Sequence, residues 1–157
     1  MRDDAFHLVA RAQAAYARCI DEGPLESWPE FFDDECFYQV TTADNHRDGL
    51  EAGLIWADSR GMLTDRISAL REANVYERHT YRHLLGQPHL TPTATMEEVD
   101  SETPFLVVRT TRDGTSDIFA TGRYLDRYRL GADDAHLTRR VVVCDSSRVD
   151  TLLALPL

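Results

Sequence analysis

Six histidines stand among the 157 residues, and they are the first place to look for chemistry. His79 and His83 lie four apart, a spacing that puts both imidazoles on one face of a strand or of a helix. Two such rings and one carboxylate would make a 2-His-1-carboxylate iron site. No third ligand stands at a recognisable spacing, so no metal is assigned to this chain. A Rieske centre needs two Cys and two His in paired motifs, and neither C-x-H nor C-x-x-H occurs. Cys19, Cys36 and Cys144 lack an activating context, and there is no G-x-S-x-G. The glycines never cluster as G-x-G-x-x-G or as a P-loop. Resident clusters, covalent catalysis and phosphate cradles are therefore not expected, and no cofactor is assigned.

General acid–base chemistry stays open. Tyr38, Asp44, His46, Tyr81, His83 and Asp117 could together supply a carboxylate or imidazole and a hydroxyl donor. Gathered in one pocket, that set would suit an isomerase or dehydratase. Dispersed, Asp44 and His46 belong to a solvated loop, and Tyr81 and His83 are sheet residues with satisfied partners.

A different signal comes from E-R-H-T-Y-R-H, which interleaves Arg78, His79, Tyr81, Arg82 and His83. Arg, Tyr and Trp are the residues over-represented at protein–protein hot spots. The segment T-L-L-A-L-P-L is apolar throughout and must dock on its own sheet or on a neighbour. The candidate subunit interface is accordingly Trp28, Trp56, Tyr76, Arg78, His79, Arg82, Leu155 and Leu157.

The elements that must position these residues follow from periodicity. Helical spacing covers Asp3 to Ile20, with Gly23 and Pro24 as the stop. L-E-S-W-P-E-F-F is a short helical segment that Pro29 limits. Glu35 to Thr42 alternates as a strand and T-A-D-N-H-R-D-G reads as a loop. Leu54 to Ala57 is a short strand or a lead-in to the helix Arg60 to Ala73. Strands are expected at Thr80 to Gly86, Pro104 to Arg112, Ser116 to Leu130 and His136 to Asp145, with hairpin turns at Asp113-Gly114 and G-A-D-D. Gln87 to Thr103 reads as a loop, or as a bent edge strand interrupted near Pro104. Helices first and an antiparallel meander afterwards is the α+β layout. A curved sheet wrapped over helices makes a cone, either filled or hollow.

Composition narrows the partners. The formal net charge is −10, and all 17 basic residues are arginine. An acidic surface argues against nucleic acid and against an anionic membrane. No apolar run approaches the ~20 residues of a membrane span. The start M-R-D-D-A-F-H carries no signal-peptide pattern, so a cytoplasmic single domain over 1–157 is expected.

Several strings resemble the small (beta) subunits of aromatic-ring-hydroxylating dioxygenases. They are A-Y-A-R-C-I-D-E-G, L-E-S-W-P-E-F-F, C-F-Y-Q-V, D-N-H-R-D-G-L, S-R-G-M-L-T-D-R-I-S-A-L-R-E-A-N-V-Y-E-R-H-T-Y-R-H, V-V-V-C-D-S and L-A-L-P-L. The resemblance implies a cystatin-like or NTF2-like cone, with N-terminal helices packed on a curved, mostly antiparallel sheet. It implies a non-catalytic beta subunit in an alpha3beta3 hetero-hexamer, with beta–beta contacts. The Rieske 2Fe-2S cluster and mononuclear Fe(II) would lie in the alpha subunit, and the substrate would be an aromatic carboxylate such as terephthalate. A filled cone is what this role implies. Arg60, Arg66, Arg71, Arg78 and Arg82 lie in the longest of the matching strings, where arginine suits desolvated pairing between subunits.

Overall fold

The computed structural model describes residues 1–50, 53, 55–73, 79–146 and 156–157. Helix α1 (Ala5–Glu22) buries Ala5, Leu8, Val9, Gln13, Tyr16, Ala17, Cys19 and Ile20, a single stripe at helical spacing. It ends at Gly23, whose φ of 78° suits a residue without a Cβ. A 3-10 helix (Leu25–Phe31) contains Pro29 and seats Trp28 inside the core. Strand β1 (Phe32–Thr42) begins three residues before the alternation predicts. The polar stretch expected as a loop folds its first part into a short helix, α2 (Ala43–Arg47), which the Thr42 hydroxyl caps by accepting from Asn45 N–H. Strand β2 (Ile55–Ala57) and helix α3 (Arg60–Ala73) follow.

The remaining strands are β3 (Thr80–Leu85), β4 (His89–Pro92), β5 (Glu98–Thr110), β6 (Ser116–Leu130) and β7 (Ala135–Cys144). They join one sheet in the order β2-β1-β7-β6-β5-β3, with β4 also on β5. The meander of β3 to β7 is antiparallel, as expected, and among the described residues the one parallel pairing of the sheet is that of β1 with β7. The chain leaves β1 at one end, crosses with α3, and returns through five antiparallel strands, β3 to β7.

Pro104 does not interrupt β5, which corrects the expected break. On that side β3 ends opposite Phe105 and β4 begins opposite Glu102, so Pro104 falls at the corner between them. Its carbonyl accepts from Gly86 N–H at 2.8 Å, and the N–H it lacks would point the same way, where no strand needs it. Gly86 is required there, since a Cβ would lie 2.5 Å from the Pro104 ring.

Alternation on β6 sends Tyr124, Asp126 and Tyr128 to the inner face. Asp126 is in register with Arg140 of β7, and both side chains are wholly buried. The guanidinium makes a bidentate pair with the carboxylate at 2.8 and 2.7 Å and donates to the Tyr128 hydroxyl at 3.2 Å. It is sandwiched between the rings of Tyr16 and Tyr124, 4.1 and 3.8 Å from their centroids. Burial pushes the Asp126 carboxyl up, against the pull of Arg140.

Removing one partner strands a buried charge, so Asp126→Ala is expected to cost about 3–5 kcal/mol. The double change Asp126→Leu with Arg140→Met should recover most of that loss. Urea denaturation of the three chains measures it, and equal losses in single and double variants would contradict the pairing.

Candidate functional site

The centre of the cone is where a fold of this shape would keep a pocket, and here it is occupied. Trp28, Arg140, Tyr16, Tyr38, Tyr124 and Tyr128 are the bulkiest of its fully buried side chains. Edge-to-face contacts lock them: Trp28 on Phe32 and Tyr38 at 5.6 and 5.2 Å, and Phe32 on Tyr38 at 5.9 Å. Phe105 stacks on Tyr124 at 4.7 Å. Leu157 adds the last piece. Its backbone oxygen accepts from the Tyr16 and Tyr38 hydroxyls at 2.8 and 3.2 Å, and its side chain is buried.

The acid–base set expected from sequence is not assembled. Tyr38 is inside the cone, where burial pushes its phenol well up. Asp44 and His46 sit on the exposed α2, Asp44 paired with Arg47. Asp117 pairs with Arg109 at 3.0 Å on the far side of the β5–β6 hairpin. Tyr81 stands edge-on to Phe119 at 5.1 Å. Of the set, His83 meets a carboxylate, that of Asp21, 2.6 Å from ring Nδ1. Sequence alone does not single out Asp21, because D-E-G at a helix end reads as a solvated stop.

Among the described residues no three His, Cys, Asp or Glu side chains converge on one point. No carboxylate among the described residues joins His79 and His83 to complete a 2-His-1-carboxylate centre. The thiols are poor nucleophiles for a physical reason: burial pushes Cys36 and Cys144 up to about 11.

Of the expected interface residues, Tyr76, Arg78 and Leu155 lie outside the described residues. Trp28 and Leu157 spend their side chains inside this chain, so neither offers a surface to a partner. His79 is half-buried and edge-on to Tyr81 at 6.2 Å. Arg82 is exposed, but it reaches Glu22 of α1 at 3.0 Å. Arg60 and Arg71 likewise find Asp34 and Glu26 at 2.8 and 2.7 Å within the chain.

Trp56 is different, with 48% of its surface exposed. It stands edge-on to Phe37 at 6.3 Å, and the Arg139 guanidinium lies 5.8 Å from the same ring. Strand register explains the cluster, because Phe37 is opposite Arg139 while Trp56 faces Gln39 on the other side of β1. Among the described residues Arg139 has no carboxylate partner. Phe37 and Arg139 are interface candidates that sequence alone does not reveal, since only the parallel β1–β7 pairing brings them together.

The fold is the NTF2-like cone of helices on a curved, mostly antiparallel sheet. The chain belongs to the ring hydroxylating beta subunit family, whose model matches residues 15–151. It is 50% identical over 149 residues to the terephthalate 1,2-dioxygenase terminal oxygenase component subunit beta 1 of Comamonas sp., covering 95% of this chain and 96% of that one. Identity to the anthranilate 1,2-dioxygenase small subunit of Burkholderia cepacia is 37% over 146 residues, covering 92% and 89%. A crystal structure from Novosphingobium aromaticivorans, assigned as the beta subunit of an aromatic-ring-hydroxylating dioxygenase, superposes with a TM-score of 0.89. Its sequence is 38% identical, and the match covers 98% of this chain and 97% of that one.

The buried thiols give a direct check. Iodoacetamide at pH 8 should leave Cys36 and Cys144 unmodified in the folded chain and alkylate all three cysteines in urea, read by mass spectrometry. Fast alkylation of either in the native protein would show that the core is open.

Proposed function

We propose that this chain is the structural beta subunit of a Rieske-type dioxygenase that adds both atoms of O2 to an aromatic carboxylate of the terephthalate class. The observation that carries the reading is the filled cone. Arg140, Trp28 and four tyrosines, all fully buried, fill the centre where a substrate ring would otherwise sit, among the described residues. The half-identical Comamonas relative bears the name of a terephthalate oxygenase subunit, which supports the substrate class.

In this reading the 2Fe-2S cluster and the mononuclear iron belong to an alpha subunit, and electrons arrive from NAD(P)H through a reductase. The beta subunit supplies a rigid platform in an alpha3beta3 assembly, with beta–beta contacts. Rigidity comes from the edge-to-face aromatic packing and the buried ion pair. The net charge of −10 sets its surface against nucleic acid and anionic membranes. Among the described residues no helix is long and apolar enough to cross a membrane, and in this reading the subunit works in the cytoplasm.

The outer-face cluster of Trp56, Phe37 and Arg139 is the patch we assign to partner contact. Its aromatic and arginine side chains are of the kind enriched at interfaces, and among the described residues Arg139 has no carboxylate partner. Of the other residues named from sequence, His79 and Arg82 stay as rim contacts.

Co-expression with an alpha subunit is the test. A stable complex that oxidises an aromatic carboxylate is expected, with no turnover by either chain alone. Trp56→Ala should leave stability within about 1 kcal/mol of the parent, as for an exposed residue. It should weaken the complex by at least about tenfold, as a hot-spot loss would. Failure to assemble at all would overturn the subunit reading, while an unweakened Trp56→Ala complex would overturn only this patch.

A further inference from the structure

The contact between Asp21 and His83 leaves one atom unexplained. Asp21 is in the last turn of α1, and His83 lies in β3, which among the described residues is an edge strand paired with β5. One carboxylate oxygen accepts from the His83 backbone N–H at 2.7 Å, satisfying a group on the free edge. The other lies 2.6 Å from ring Nδ1. A carboxylate offers only acceptors, so Nδ1 carries a ring proton and the tautomer is set. The far nitrogen, Nε2, is buried and has no hydrogen-bond partner among the described residues, in a side chain only 3% exposed. Buried polar atoms without partners are rare in native proteins, and each asks for an explanation.

His83 forms part of the wall of a groove of about 540 Å³ between α1 and the β3–β4 turn. Ala10, Ala14 and Ala17 make one wall, a helix face with no atoms beyond Cβ, while Leu85 and Pro88 belong to the other. Phe6 lies near the opposite end of α1 from the dyad. Several polar groups nearby are already engaged. Gln13 donates to the Thr103 hydroxyl at 2.8 Å. Arg82 and Arg18 both lean on Glu22, at 3.0 and 3.5 Å. A free carboxylate would therefore compete with Glu22 for its cations, whereas His83 Nε2 is unclaimed.

The ligand that this environment selects is flat, apolar over most of its surface and uncharged, with one polar group. A hydroxyl fits best, because it donates to Nε2 of a neutral imidazole and accepts from Nε2–H of a charged one. We propose that the groove binds a small hydroxylated aromatic ring of the phenol class, its hydroxyl on His83 Nε2 and its ring along the alanine face. Nε2 is closed to bulk water, so the hydroxyl reaches it through the groove, with the wall side chains giving way. The site goes beyond the subunit role and does not depend on assembly.

The test uses the full chain labelled with ¹⁵N-histidine, whose long-range ¹H–¹⁵N correlations report Nε2 directly. Titration with 4-methylphenol should shift the His83 Nε2 resonance saturably, with a Kd on the order of 1 mM for so small a ligand. Toluene, which lacks the hydroxyl, should bind at least about tenfold more weakly. Ala14→Trp fills the exposed groove wall without touching the core and should abolish the shift while leaving the melting temperature unchanged. The shift should persist when the chain is assembled with its alpha subunit. Equal responses to the two ligands, no saturable shift, or a full response in Ala14→Trp would overturn the proposal. So would loss of the signal on assembly, which would mean that a side chain of the partner occupies the groove.

Discussion

Everything in the cone is arranged around one buried charge. Arg140 lies on the inner face of the central strand β7, and a guanidinium there has no water to solvate it. The strand next door meets most of the need in register: Asp126 gives two carboxylate oxygens, Tyr128 a hydroxyl and Tyr124 a ring face, while α1 supplies a second ring face from Tyr16. Such an arrangement is costly if any part is missing. It therefore fixes the register of β6 on β7, the seat of α1 through Tyr16, and the packing of β5 through the Phe105–Tyr124 stack. The choice of arginine matters here, because a lysine ammonium could neither form the fork nor spread between two rings.

The same arrangement uses up the space in which a cone-shaped protein could hold a substrate. Aromatic rings and the ion pair fill the middle, and Leu157 closes over Tyr16 and Tyr38. What remains for function is the outside: the sheet face bearing Trp56, Phe37 and Arg139, and the groove beside α1. A rigid, sealed body with aromatic and arginine side chains on its surface is what a platform subunit needs. Family membership and a filled interior agree on that role from independent directions.

Much of the architecture is legible in the order of residues. α1 and α3 follow from apolar spacing, the long β6 and β7 from their β-branched and aromatic residues, and the hairpin at Asp113-Gly114 from its turn residues. The departures have local causes. Pro104 argues for a break, yet it sits where β3 has ended and β4 has not begun, so no ladder bond is lost. Thr42 caps a helical turn inside a stretch whose composition is that of a loop. Asp126 shares a face with Tyr124 and Tyr128, which alternation shows, but its partner lies across a hairpin and only register identifies it. Trp28 has the composition of a surface anchor, while the 3-10 helix turns it inward.

Residue types and their spacing are enough to argue against a resident cluster, a nucleophile and a phosphate site, and to place the chain among ring-hydroxylating beta subunits. Those conclusions depend on what is covalently adjacent, which a linear chain displays. Which charges pair, and which are left over, depends on residues far apart in the chain. Arg82 meets Glu22 and His83 meets Asp21 because α1 covers the edge of β3. Arg139 is left facing Phe37 and Trp56 because β1 runs parallel to β7. Electrostatic and packing partners are chosen by distance in space, so Arg60, Arg71 and Arg82, which sequence assigns to another subunit, find their carboxylates within this one.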